Sequence, residues 1–141
     1  MLEVGAGAGR LLVFLRARKL IATYVLVDLD ELLLRAATHL REYCPKLDIR
    51  YGDAPRRRDF ETGKPRVFLV RTEQVKALPA GVMNVLLNFN SFMEMDGWVR
   101  DSYIEQMYRT AAEGALFYNV NRRQAQLPRP DGSSFDNNPL H

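Results

Sequence analysis

Three acids and three glycines are the residues whose types and spacing can do chemistry in this chain. Glu3, Gly5, Gly7 and Gly9 alternate with single small residues in Glu3-Val4-Gly5-Ala6-Gly7-Ala8-Gly9-Arg10. Asp28 follows about 20 residues on, at the end of an apolar run. Without Cβ atoms the glycines let the chain turn sharply and let a ligand approach the backbone. Such a turn, between a strand and a helix, is where open α/β sheets hold nucleotide-like ligands. An acid at the end of the second strand can accept both hydroxyls of a ribose. Glu94, just beyond Asn88, Asn90 and Ser91, can orient or deprotonate a hydroxyl. Each has a structural alternative. The glycine turn can simply pack a helix on a sheet, Glu3 can be held by loop amides, and Glu94 can favour the dipole of the next helix. Asp28 can cap the second helix, although Asp30 is better placed to do so.

The elements that must position these residues alternate. A short strand runs into the glycine turn, and a helix follows from about Gly9 to Lys19. Thr23–Asp28 reads as a second strand, apolar as a strand covered on both faces should be. A second helix runs from Asp30 to about Tyr43 and stops before Pro45. His39, within it, reads as a surface or half-packed residue, and Cys44 as a half-buried thiol. Asp48–Tyr51 can form a short strand, but Arg66–Val70 is the better third one, with the polar stretch Arg56 to Lys64 as a loop. The fourth strand is Met83–Asn88. Asp96 is expected to cap a long helix reaching about Glu113. Trp98, Val99, Ile104, Met107, Tyr108, Ala111 and Ala112 fall near its period, and Gly114 stands just past its end. A fifth strand is Ala115–Val120. The pattern predicts an α/β fold with a Rossmann-like, doubly wound, mostly parallel sheet. Residues 1–123 form its core, and residues 124–141 read as a loop-like tail.

Composition narrows the function classes. At 141 residues one domain is the default, and 47% hydrophobic with 26% charged residues is ordinary for a globular protein. A formal net charge of +3 is too small to argue for nucleic acid. Arg56-Arg57-Arg58 is the only dense basic run and reads as a solvated loop. One cysteine excludes a disulfide within the chain, and no Cys/His metal spacing stands in the sequence. No apolar run approaches the ~20 residues of a membrane span. No signal-peptide pattern opens the chain, so a cytoplasmic location is the default expectation.

The glycine spacing separates two ligand classes. The dinucleotide fingerprint G-x-G-x-x-G would need a third glycine at Arg10. The pattern acid-x-G-x-G-x-G instead resembles motif I of the class I methyltransferases, which use S-adenosylmethionine. The likeness extends further. The opening Glu3 to Arg10, the strand ending Val27-Asp28-Leu29, the segment Val67 to Pro79 with Gln74 and Leu78-Pro79, the run Asn88 to Met95, and Phe117-Tyr118-Asn119-Val120-Asn121-Arg122 are together similar to the sugar O-methyltransferase family. The resemblance covers most of the chain up to about Arg123.

That resemblance implies a class I methyltransferase fold and methyl transfer to a sugar or glycoside hydroxyl. It implies that Glu3, Gly5, Ala6, Gly7, Gly9, Asp28, Leu29, Gln74 and Asn88 hold S-adenosyl-L-methionine. Asn90 and Ser91 would face the acceptor, with Glu94 as a base, and no metal is demanded. Thr72, Glu73, Gln74 and Val75, or Asp53 in their place, are the candidates for contacting adenine. Measured against the family, the chain starts at strand one and stops soon after strand five. This predicts a core trimmed at both ends, with strand five as a bare edge open to a second copy. Two other functions remain open: a non-catalytic cofactor-binding or interaction domain, and a nicotinamide-dependent oxidoreductase. The glycine spacing argues against the second, as does the lack of a Tyr/Lys or Cys/His redox constellation.

Overall fold

The computed structural model describes residues 1–19 and 22–121. The expected tail, 124–141, lies outside the described residues. Among the described residues six strands form one wholly parallel sheet: β1 (Leu2–Val4), β2 (Tyr24–Asp28), β3 (Asp48–Tyr51), β4 (Arg66–Arg71), β5 (Met83–Phe89) and β6 (Ala111–Val120). Their spatial order is β3-β4-β2-β1-β5-β6. The α/β, Rossmann-like expectation therefore holds. Among the described residues four α-helices lie between the strands: α1 (Arg10–Ala17), α2 (Asp30–Tyr43), α3 (Arg57–Glu61) and α4 (Gly97–Thr110).

Strand alternation sorts the core onto two faces. Leu2, Val4, Val25, Val27, Phe68 and Val70 point to one side, where Phe60 of α3 and Tyr103, Ile104 and Met107 of α4 meet them. Tyr24, Leu26, Val67 and Leu69 point to the other, against Leu12 of α1 and Leu33, Ala36, Ala37 and Leu40 of α2. Cys44 is half-buried just past α2, as read.

Both candidates for the third strand are strands. Arg66–Arg71 takes the place beside β2, with Val27 opposite Val70, and Asp48–Tyr51 pairs outside it at the sheet edge. The polar stretch between them is not all loop. Arg57–Glu61 makes a short helix, because the Asp59 carboxylate accepts the Arg56 N–H at 2.8 Å and caps its start.

The long helix is shorter than its period suggests. It ends at Thr110, and Ala111 already pairs with Met83. Gly114 stands inside β6 with φ +73°, where the register slips between Met83 and Val85. It is therefore a strand irregularity, not a helix stop. Trp98 and Tyr108, expected on the packed face, are each 76% exposed, while Gln106 and Thr110 are buried in their stead. Among the described residues no helix is long and apolar enough to cross a membrane.

Candidate functional site

β1 lies between β2 and β5, so the chain leaves it in one direction and returns on its other side. At such a switch point the loops part above the strand ends and leave a crevice. A cavity of about 440 Å³ opens there, lined by Gly5, Gly7, Asp28, Thr72, Asn90, Ser91, Glu94 and Tyr103 with apolar neighbours that include Leu29 and Val99. That volume is in the range of small-molecule sites.

The three glycines answer to three different neighbours. Gly5 (φ +74°) donates its N–H to Val27 O at 2.9 Å, and a Cβ on it would lie 2.0 Å from Ser91 Oγ. Gly7 (φ +54°) has no heavy atom within 4 Å of where a Cβ would stand, and it faces the cavity. Gly9 (φ +69°) precedes α1, with its Cβ position 3.5 Å from Leu26 and Leu40. Ala6, between them, turns its side chain into the core. Any contact it makes with a ligand is through its backbone. His39 lies half-buried beneath the turn, its Nδ1 2.9 Å from Ala8 O.

Asp28 is 9% exposed. Its Oδ2 accepts the Gly7 N–H at 2.7 Å and its Oδ1 accepts the Leu29 N–H at 2.8 Å. A carboxylate oxygen has two acceptor sites, so one remains on each oxygen beside the cavity. Asp30 begins α2 and takes the Tyr51 hydroxyl at 2.7 Å. Glu3 sits beside Leu26 and Leu87 in the sheet and is buried. Burial, and then the charge of Asp28, push its carboxyl up to about 8. Among the described residues no turn amide donates to it.

Asn88 is wholly buried beneath the turn. Its Nδ2 donates to Val4 O at 3.0 Å and to Ser91 Oγ, and its Oδ1 accepts from Asn121 Nδ2 at 2.8 Å. Ser91 Oγ donates to the same Val4 carbonyl at 3.2 Å. Asn121 Oδ1 in turn accepts the Met93 N–H at 3.2 Å. The ends of β1, β5 and β6 and the turn after β5 are thus tied together by side-chain amides. Asn90 stands above this clasp in the left-handed region (φ 57°), its N–H held by Val120 O at 2.7 Å. Glu94 is exposed at the end of the short turn Phe92–Glu94 and lies on the cavity wall. It precedes α4 rather than entering its first turn.

Seven expected residues therefore meet at the cavity: Gly5, Gly7, Asp28, Leu29, Asn90, Ser91 and Glu94. Glu3, Ala6, Gly9 and Asn88 stand behind it as supports. Gln74 does not line it. Its Nε2 donates to Gly52 O at 2.6 Å and its Oε1 accepts the Arg71 N–H at 3.1 Å, so the side chain is spent on joining the end of β4 to the residue just past β3. Of the adenine candidates only Thr72 lines the cavity, and Val75 is buried in the core. The sequence reading missed the α4 side, formed by Met95, Val99 and Tyr103. The four-residue spacing of Val99 and Tyr103 on α4, with Met95 just before the helix, was the available signal. Burial and the field of Asp28 raise the Tyr103 hydroxyl from its ordinary value, which keeps it a hydrogen-bond donor. Among the described residues no group of three His, Cys, Asp or Glu side chains can hold a metal ion.

Fold and cavity together define a Rossmann-like α/β protein with a crevice at the β1/β5 switch point. The chain matches no protein-family model and no curated protein.

Proposed function

We propose that this chain is the cofactor-binding core of an S-adenosylmethionine-dependent O-methyltransferase acting on a sugar or glycoside hydroxyl. One observation carries the reading. Gly7, bare of neighbours, and Asp28, with two free acceptor sites, flank one cavity at the sheet's switch point. The turn offers backbone to the amino-acid and ribose portions, and Asp28 offers its oxygens to the ribose diol.

When bound, the cofactor supplies an electrophilic methyl group. The chain's part is to hold the acceptor hydroxyl in line with that methyl, an effect worth ~7–11 kcal/mol in favourable systems. Asn90 and Ser91 stand where they can orient the acceptor, and the Glu94 carboxylate can take the hydroxyl proton as the new C–O bond forms.

Calorimetric titration with S-adenosylmethionine and S-adenosylhomocysteine tests the cofactor. Saturable binding that Asp28→Ala weakens at least about tenfold, 1.4 kcal/mol, is expected. A folded chain that binds neither overturns the reading. The nicotinamide alternative is revived if NADH binds and these two do not.

The sheet edge supports a second element of the proposal, self-association. Among the described residues β6 is the outer strand beside β5, and Leu116, Tyr118 and Val120 are 60%, 51% and 39% exposed. Unpaired edges of this kind add strands from other chains.

A further inference from the structure

A second cavity, of about 470 Å³, opens at the other end of the sheet from the glycine crevice. α1 and α2 start near the crevice, one after Gly9 and the other after Leu29, and run back to end here. α1 supplies Val13 and Arg16, and the end of α2 with the residues just past it supplies Tyr43, Cys44, Lys46 and Leu47. The lining holds two cations and no carboxylate. The acids nearest in sequence are placed elsewhere. Glu42 is exposed outside the cavity, and Asp48 is taken up by Arg50 and Arg66. Among the described residues the side chains of Arg16 and Lys46 make no hydrogen bond or ion pair. Other half-buried arginines are matched: Arg66 by Asp48 and Asp59, and Arg109 by the carbonyls of Val75, Lys76 and Leu78. Arg16 is half-buried like them, yet its Nη1 is shut off from solvent with no acceptor. So is the Tyr24 hydroxyl, on which the charge of Arg16 acts. Burial raises that hydroxyl above its ordinary value, so it keeps its proton and stays a donor. Buried donors without acceptors are costly, charged ones most of all.

We propose that this cavity binds a small organic monoanion, a carboxylate with an apolar body. Arg16 takes the carboxylate with its guanidinium, and Lys46 adds a second positive charge from the exposed side. Val13, Leu47 and the ring of Tyr43 receive the apolar body. The helix ends set the preferred charge. Each C-terminus carries roughly −0.5 charge, so two of them against two cations leave about one positive charge. A carboxylate matches that balance better than a phosphate dianion does.

Cys44 is the only cysteine in the chain and lines the cavity, so its reactivity reports occupancy. Alkylation of the full chain by neutral iodoacetamide, followed by mass spectrometry, is measured with benzoate, benzamide or phenyl phosphate present. Benzoate is expected to slow the reaction saturably, by about tenfold at ten times its dissociation constant. Benzamide, the same ring without the charge, and phenyl phosphate, with a larger charge, are expected to bind at least about tenfold more weakly. Arg16→Gln is expected to raise the benzoate dissociation constant at least about tenfold, and Lys46→Gln by a smaller factor. No protection by benzoate overturns the proposal. Equal protection by benzamide reduces the cavity to an apolar one and overturns it too, as does tighter binding of phenyl phosphate or protection that survives in Arg16→Gln. If Arg16→Gln does not fold, the comparison of benzoate with benzamide in the parent chain and in Lys46→Gln decides the matter.

Discussion

The Gly7 amide rests on the Asp28 carboxylate at 2.7 Å, joining the glycine turn to the end of the neighbouring strand before any ligand arrives. Asp28 therefore serves the fold as well as the site. Asp28→Asn keeps the shape but replaces one acceptor oxygen by an NH2 group, so one of the Gly7 and Leu29 amides loses its partner. Stability is expected to fall by about 1–3 kcal/mol without ligand. Urea unfolding measures the loss, and faster hydrogen exchange at the Gly7 or Leu29 amide locates it.

The glycines predict separable failures. Gly5→Ala places a methyl group on Ser91 and strains the backbone, so it unfolds the clasp beneath the turn and costs several kcal/mol by the standards of overpacking and left-handed strain together. Gly7→Ala meets no neighbour and costs only about 1–2 kcal/mol of left-handed strain. Its effect falls on binding, where S-adenosylhomocysteine affinity is expected to drop at least about tenfold. Melting curves and titrations of the two variants tell them apart.

Glu3 sets a pH dependence of stability. Its carboxyl titrates at about 8 in the fold against an ordinary 4.5. Below 4.5 it is protonated in both folded and unfolded chains. Between 4.5 and 8 the unfolded chain has lost the proton and the folded one has kept it. Unfolding then releases a proton, and stability falls as pH rises, by at most about 1.4 kcal/mol per pH unit. Glu3→Gln is expected to remove this contribution and to be more stable than the parent chain at pH 8. Denaturant midpoints from pH 5 to 8 check the sign.

The β6 edge predicts a concentration-dependent dimer. Leu116→Lys and Tyr118→Lys place charge on its exposed face, the device by which sheet edges resist pairing. Sedimentation velocity is expected to show these variants as monomers at concentrations where the parent chain associates. A parent chain that stays monomeric throughout contradicts the edge reading.

Much of this architecture was legible because local signals and tertiary placement agree in it. The run from Glu3 to Leu15 carries its own turn and helix entry, and Tyr24–Val27 is apolar up to Asp28 because both faces of the strand are covered. Where the two disagree, tertiary pairing wins. Ala111 to Glu113 have the composition of a helix end, yet the open edge of β5 draws them into a strand. Trp98 and Tyr108 fit a helical period but fall on the outward side of α4, since the buried stripe runs through Gln106, Met107 and Thr110. The site divides in the same way. Gly5, Gly7 and Asp28 announce themselves by spacing, whereas Tyr103 reaches the cavity only because α4 packs on the sheet face that holds Val27 and Val70. Gln74 looked available because nothing local reveals that its amide ties Arg71, at the end of β4, to Gly52, just past β3 and 22 residues away.

Ser91 fills the space that a side chain at position 5 would need, and this leaves a trace beyond one molecule. Positions 5 and 91 are 86 residues apart in the chain yet share one volume. In chains descended from the same ancestor, a side chain gained at the first site demands one surrendered at the second. The two positions should therefore drift together, while position 7, with no neighbour to consult, answers to the ligand alone.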